Sequence, residues 1–88
     1  MLLSDEQSKI AVYNITQVYE CLKKLKKGKA FLKEVKVGTG MYCKWKNKKH
    51  NPRKPAIERI CNRLGVDYDL FVSKKIKVNF KIDIKFEE

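Results

Sequence analysis

The sequence predicts one small, mainly α-helical domain of five helices that is followed by a carboxyl-terminal β-strand. Three observations support this fold class. Apolar residues recur three and four positions apart through most of the chain, and they alternate strictly with polar residues near its end. The length of 88 residues, with 43% hydrophobic residues, allows a single modest core. We therefore expect a helical domain over residues 1–73 and a strand extension over 74–88.

The first helix is expected to begin at Ser4 or Asp5, because both residue types cap helix amino termini well. Apolar residues with helical spacing follow, and lysines crowd the last turn, where positive charge suits the helix dipole. Gly28 is expected to end this helix. Asn14 is a second candidate cap, so a separate short helix before it stays open.

Two short helices joined by a tight turn come next. The second is expected over 29–35 and the third over 39–47. This is the shape of a helix-turn-helix, whose second helix can enter a DNA groove. The residues predicted to face the core are Phe31, Leu32, Val35, Val37, Met41, Tyr42 and Trp45.

A basic loop over 48–54 leads into the fourth helix. Pro55 suits its first position, where the missing N–H would have no partner, and Gly65 is expected to close it. Asp67 is expected to cap a last short turn. The predicted apolar residues of these two helices are Ala56, Ile57, Ile60, Cys61, Leu64, Leu70 and Phe71.

The tail predicts a single half-buried strand. Its apolar residues alternate with polar ones at Ile76, Val78, Phe80, Ile82, Ile84 and Phe86. A lone strand leaves its backbone groups unpaired, and no second alternating stretch exists in the chain. It must pair with the same strand of a second copy or with a short extended piece of its own chain. We expect the first, and hence a homodimer.

The net charge of +11 is concentrated in one segment. From Lys23 to Lys54 there are thirteen Lys/Arg and one acid, Glu34, a net charge of +12, so the remainder carries 11 − 12 = −1. Such a segment favours an anionic partner. Nucleic acid is the expected one, with acidic lipid or an acidic protein as alternatives.

Composition argues against several other classes. The three cysteines are widely spaced and His50 is the single histidine, so neither a zinc site nor a catalytic constellation is expected. Cys21 and Cys61 are predicted to be reduced core residues. The amino end shows neither a basic n-region nor an apolar h-region, and no apolar run reaches the length of a membrane span, so we expect neither a signal peptide nor a membrane-spanning helix. We expect a cytoplasmic protein that is not an enzyme and needs no metal or cofactor.

Two blocks of sequence resemble a known family. VGTGMYCKWKNKKHNP (37–52) resembles the helix-turn-helix of the Cro/phage-repressor type (xenobiotic-response-element-like), with its valine at the turn, its aromatic-Lys-Asn ending and its following proline. IERICNRLGVDYDLF (57–71) resembles that family's fourth and fifth helices, with their Leu-Gly-Val hinge. The resemblance covers about 15–72. Lys36 and Lys48 stand where the family usually has glycine, and Lys54 where many members have an apolar residue.

The resemblance implies a five-helix lambda-repressor-like DNA-binding domain with its recognition helix at about 39–47. The residues expected to face the bases are Thr39, Gly40, Cys43 and Lys44. Those expected at phosphates are Lys29, Lys33, Lys46, Asn47, Lys48, Lys49, Arg53 and Lys54. The six apolar residues of the tail strand, Ile76 to Phe86, are expected to mediate dimerisation.

We accordingly expect a sequence-specific transcriptional regulator, a small Cro-like repressor of a phage or mobile element that binds a palindromic operator in double-stranded DNA. Gly40 and Cys43 offer little for direct base readout. The alternative is therefore a protein-interaction module on the same fold, such as an antitoxin or a phage-encoded inhibitor of host defence. Such a module would bind a second protein through the carboxyl-terminal strand.

Overall fold

The computed structural model describes residues 3–79 and 83–87. Its elements are α1 (Asp5–Lys24), α2 (Gly28–Glu34), α3 (Thr39–Lys46), α4 (Lys54–Leu64), α5 (Tyr68–Phe71), β1 (Ile76–Val78) and β2 (Ile84–Phe86). The two strands form a small antiparallel sheet. The predicted mainly helical class is confirmed, and the described part of the chain contains the five helices expected from the sequence.

The helix α1 is one continuous helix of 20 residues. Its start is confirmed, because the Ser4 hydroxyl accepts from Gln7 N–H while the Gln7 side chain accepts from Ser4 N–H, each at 3.1 Å. Asn14 lies inside the helix and caps no second start. The predicted end at Gly28 is wrong: α1 ends at Lys24, and Gly28 is the first residue of α2. A Cβ at Gly28 would lie 3.0 Å from the Tyr19 ring, so this glycine serves a close contact.

The core lies between α1, α2 and α4 and extends to α5 and β1. Its largest fully buried side chains are Phe71, Ile15, Leu32, Ile57, Ile60, Ile76, Val18, Val35, Val72, Asn14 and Cys61. Met41 and Leu70, which were predicted as apolar helix positions, are 42% and 37% exposed, and Cys21, which was predicted to be a core residue, is only partly buried. The short helices α3 and α5 each bury only a narrow face, which Tyr42 and Trp45 occupy on α3.

Two of the three predicted signals of the last two helices, Gly65 and Asp67, are confirmed, whereas Pro55 is the second residue of its helix and not the first. The helix α4 has Pro55 in its first turn and ends at Gly65, whose φ of 71° is left-handed. It begins at Lys54, one residue earlier than expected. The Asp67 carboxylate accepts from Asp69 N–H at 3.0 Å and so caps α5.

The prediction of a single tail strand is wrong. The strands β1 and β2 pair with each other, with Ile76 opposite Phe86 and Val78 opposite Ile84. The chain turns back where Asp83 N–H donates to the Asn79 side-chain oxygen at 3.1 Å. Residues directly opposite each other share a face of the sheet, so the four apolar residues still lie on one side, packed on the core. The other two predicted positions, Phe80 and Ile82, lie outside the described residues.

Asn14 attaches this hairpin to α1. Its side-chain NH₂ donates to the carbonyls of Phe71 at 2.7 Å and of Lys74 at 2.9 Å, and its oxygen accepts from Ile76 N–H at 2.9 Å. Asn14 is completely buried. Three hydrogen bonds therefore bind the end of α5 and the start of β1 to the middle of α1, a role that the sequence did not reveal.

Candidate nucleic-acid interface

A short turn joins α2 and α3, and two of its residues are buried in the core. Val35 and Val37 are buried in the core, whereas Lys36 between them is exposed. The burial of Val37 beneath the turn confirms the prediction. Lys36 has a φ of 59°, and Val37 N–H donates to the Leu32 carbonyl at 2.9 Å. This is the Schellman geometry that ends helices at a left-handed residue, here a lysine.

Two other helices end in the same way. Lys26 after α1 and Lys48 after α3 both have a φ of 61°. Lys27 N–H donates to Leu22 at 2.8 Å, and Lys49 N–H donates to Lys44 at 2.8 Å, which completes the same motif. Glycine is the usual residue at this position, since it lacks the Cβ that makes the left-handed conformation costly. In the described chain, three lysines therefore occupy strained positions at helix ends.

The two buried aromatic residues of α3 determine which side of the helix faces solvent. Tyr42 and Trp45 are each 4% exposed, and the Tyr42 ring lies 4.4 Å from the Tyr19 ring of α1, centroid to centroid. With that side held against α1, the four residues predicted to face bases are all exposed: Thr39, Gly40, Cys43 and Lys44. A Cβ at Gly40 would meet no atom within 4 Å. The exposed residues of α3 are thus the small Thr39, Gly40 and Cys43, together with Met41, Lys44 and Lys46.

Exposed cations lie on α2, at the end of α3 and on the segment that follows it. All eight residues predicted at phosphates are exposed: Lys29, Lys33, Lys46, Asn47, Lys48, Lys49, Arg53 and Lys54. The one acid of the basic segment, Glu34, forms an ion pair with Arg63 of α4. Lys46 Nζ lies 3.5 Å from a Glu20 oxygen, with both side chains about half exposed, so that pair is weak. Lys54 Nζ lies 5.4 Å from the centre of the Tyr68 ring.

Sequence reasoning missed Arg59. Its Nε donates to the Val35 carbonyl at 2.8 Å, which connects α4 to the turn between α2 and α3. Arg59 also lines a cleft of about 500 Å³ beside α3, together with Lys36, His50 and Arg53. Nothing in the sequence distinguishes Arg59 from the other charged residues of α4, because its partner lies 24 residues away.

The groups with perturbed pKa values belong to the core rather than to this surface. Burial raises the pKa of the Cys61 thiol to about 12, and Asp67 and Glu58 add to the effect. Burial is also the main cause that raises the pKa of the Tyr42 and Tyr68 phenols. The prediction that Cys61 is a core residue is confirmed.

Residues 3–79 and 83–87 contain no cluster of three or more His, Cys, Asp or Glu side chains that could hold a metal ion. Within the same part of the chain, no helix has both the length and the apolar character needed to cross a membrane. Comparison of the chain with protein-family models, curated proteins and solved structures gave no match. A function for the surface around α3 must therefore be inferred from its geometry and charge.

Proposed function

We propose that the chain is a DNA-binding transcriptional regulator of the Cro-like, lambda-repressor-like type that places α3 in the major groove. One observation supports this more than any other. The outward side of α3 is exposed, and exposed cations lie before it at Lys36, at its last residue Lys46, and after it at Lys48 and Lys49. A helix can enter the major groove, and cations on either side of it can then meet the phosphates that border the groove.

Direct base readout falls to two residues. Thr39 can hydrogen-bond a base edge or touch a thymine methyl, and Lys44 can donate to the acceptors of guanine. Gly40 and Cys43 add little. Part of the specificity must then come from DNA shape and from the spacing of two subunits on a palindromic site.

The affinity of this protein for DNA should depend steeply on salt. If about six cations per subunit contact phosphates, affinity falls roughly a thousandfold between 50 and 200 mM salt. The decisive experiment is selection of bound duplexes from a random library, followed by salt titration of the selected and unselected duplexes. A selected duplex should bind well above the non-specific baseline, and Lys44→Glu should remove that excess.

Lys77→Glu is the matched control, because Lys77 is exposed on β1 and the charge change is the same. Lys77→Glu should weaken DNA binding less than Lys44→Glu does, and it should keep the preference for the selected duplex. If no duplex is enriched, or if both variants weaken binding equally, α3 is not the reading helix.

We propose a homodimer formed through the free edge of β2. Glu87 N–H donates to Lys75 and Asn79 N–H donates to Asp83, so these pairs are the hydrogen-bonded ones of the ladder. Because hydrogen-bonded and non-hydrogen-bonded pairs alternate, the backbone groups of Ile84 point out of the hairpin. No strand of the described chain pairs with that edge. A second copy can pair there around a two-fold axis.

Sedimentation of two variants tests this interface. Ile84→Pro removes the outward N–H, whereas Ile84→Ala keeps it and loses a comparable amount of side-chain packing. The proline variant should be a monomer and the alanine variant a dimer. A wild-type monomer at all concentrations, or equal behaviour of the two variants, would refute pairing through β2.

The second candidate, a protein-interaction module, is favoured by the same free edge and by the small residues on α3. An extended segment of another protein can add to β2 as a third strand. If Lys44→Glu keeps the biological activity of the protein and Ile84→Pro loses it, the interaction module is the better explanation and the regulator is not.

A further inference from the structure

Trp45 also borders a second cleft, of about 340 Å³, between the first half of α1 and the end of α3. Its apolar surface is contributed by Ile10 and Val12, both partly buried, by Tyr13, which is 37% exposed, and by the edge of Trp45. The volume is at the lower end of the range for ligand pockets and suits one or two large apolar side chains.

Four exposed lysines surround this apolar surface: Lys9, Lys46, Lys48 and Lys75. None of the described residues that line the cleft is acidic. Lys75 Nζ lies 5.0 Å from the centre of the Tyr13 ring, which holds one of the charges over the apolar surface. A ligand that matches the cleft must combine an apolar group with several negative charges around it.

We propose that this lysine-bordered cleft binds an acidic segment of a partner protein, with an apolar side chain in the cleft and carboxylates on the four lysines. Charge complementarity supports that occupant. Lys46 already lies 3.5 Å from a Glu20 oxygen, and because both side chains are about half exposed, a carboxylate of the segment can replace that weak contact. DNA fits less well, because its phosphates offer nothing apolar to cover Ile10 and Tyr13.

The acidic segment would also regulate DNA binding, and this part rests on the proposed function. Lys46 and Lys48 border the cleft and are among the residues predicted at phosphates. One lysine cannot pair with a phosphate and a carboxylate of different partners at full strength. The segment and the DNA therefore compete, and the partner acts as an inhibitor of DNA binding.

The position of Trp45 gives a direct assay, because it is the chain's single tryptophan. The probe is a synthetic oligoglutamate peptide with a central Leu-Phe pair, and its control carries Gly-Gly at that place. The first peptide should shift the Trp45 emission and bind at least about tenfold more tightly than the control, because burying a large apolar side chain contributes that much. Equal binding of the two peptides would overturn the proposal, since it would indicate general attraction between charges.

Variants locate the site. Lys9→Glu and Lys75→Glu, outside the predicted DNA contacts, should each weaken binding of the Leu-Phe peptide about five- to tenfold, because the change removes one exposed attraction and adds a repulsion of similar size, and should leave DNA affinity within a factor of about three. Lys77→Glu carries the same charge change away from the cleft and should leave peptide binding nearly unchanged. Circular dichroism confirms that each variant is folded. Equal weakening by all three variants, or binding of decanoate without binding of the peptide, would refute a protein segment as the occupant.

Competition is measured last, as displacement of a labelled duplex by the Leu-Phe peptide. Peptide binding is measured without DNA, so failure of the protein to bind any duplex refutes the proposed function alone. Peptide binding that leaves the duplex bound refutes the inhibitory role.

Discussion

Replacement of Lys48 by glycine should stabilise the protein and weaken its binding to DNA. Lys48 follows α3 with a φ of 61°, and its N–H donates to the Trp45 carbonyl at 3.1 Å. A residue with a Cβ is less stable in this conformation by about 1–2 kcal/mol, whereas glycine adopts it freely. The same residue carries one of the charges expected at a phosphate, so a single substitution separates the two effects.

The two magnitudes can be estimated. Glycine also loses more conformational entropy on folding, which costs about 0.5–1 kcal/mol and offsets part of the relieved strain. The free energy of unfolding should therefore rise by about 0.5–1 kcal/mol. For a domain of this size, that gain raises Tm by about 2–8 °C. The loss of one phosphate contact lowers the slope of log affinity against log salt by about 0.9.

Thermal unfolding by circular dichroism and salt titration of DNA binding measure the two effects. Lys26→Gly is the matched control, because Lys26 has the same φ of 61° but lies outside the predicted contacts. It should raise Tm equally and leave the salt slope unchanged. Lys48→Arg keeps both the charge and the strain, so it should change neither quantity. A lower Tm for Lys48→Gly would refute the strain argument, and an equal loss of slope in both glycine variants would refute the assignment of Lys48.

Four further predictions concern the core and the start of α3. Asn14→Ala should lower the free energy of unfolding in urea by about 3 kcal/mol, because it leaves two buried backbone groups and one partly buried carbonyl without their partner; a loss below about 1 kcal/mol would mean that these bonds do not form. Gly28→Ala should lower the same quantity by about 1–3 kcal/mol, since the new Cβ would lie 3.0 Å from a Tyr19 ring held by its neighbours. Gly40→Ala should raise it by up to about 1 kcal/mol, because no atom lies within 4 Å, and should weaken DNA binding if α3 lies against the bases. The stability of the wild type relative to Cys61→Ala should be constant below pH 9, where both states hold the thiol proton. It should fall as pH rises from 9.0 to about 12, where only the folded state keeps that proton, by at most about 4 kcal/mol, and a flat difference would contradict the burial argument.

Local signals predicted most of the helices. Ser4, Asp67 and Gly65 cap helices through groups no more than four residues away, so the sequence alone contains the necessary information. The outward side of α3 was also predictable, because the spacing of Tyr42 and Trp45 determines which face is buried. Its exposure is confirmed, and its contact with DNA stays a prediction.

The predictions for the end of the first helix and for the tail strand were wrong because each sequence pattern is compatible with two different structures. A glycine can mark a left-handed helix end or a close contact, and Gly28 has the second role while Lys26 has the first. Alternation of apolar and polar residues is the same in one strand and in a hairpin with this register, so the tail pattern did not separate them. Asn14 and Arg59 could not be recognised, because their hydrogen-bond partners lie far away in the sequence.

The left-handed lysines bear on function as well as on folding. At Lys26, Lys36 and Lys48, glycine would give a more stable chain, and Gly65 shows that this protein uses glycine at another helix end. If each lysine lowers stability by about 0.5–1 kcal/mol, the three together lower it by about 1.5–3 kcal/mol, a large fraction of what a small domain has. The same three residues add positive charge to a segment whose one acid, Glu34, is already paired with Arg63. Lysines that lower the stability of the fold while adding positive charge are expected where an anion binds. Two of them, Lys36 and Lys48, lie on either side of α3 in the sequence.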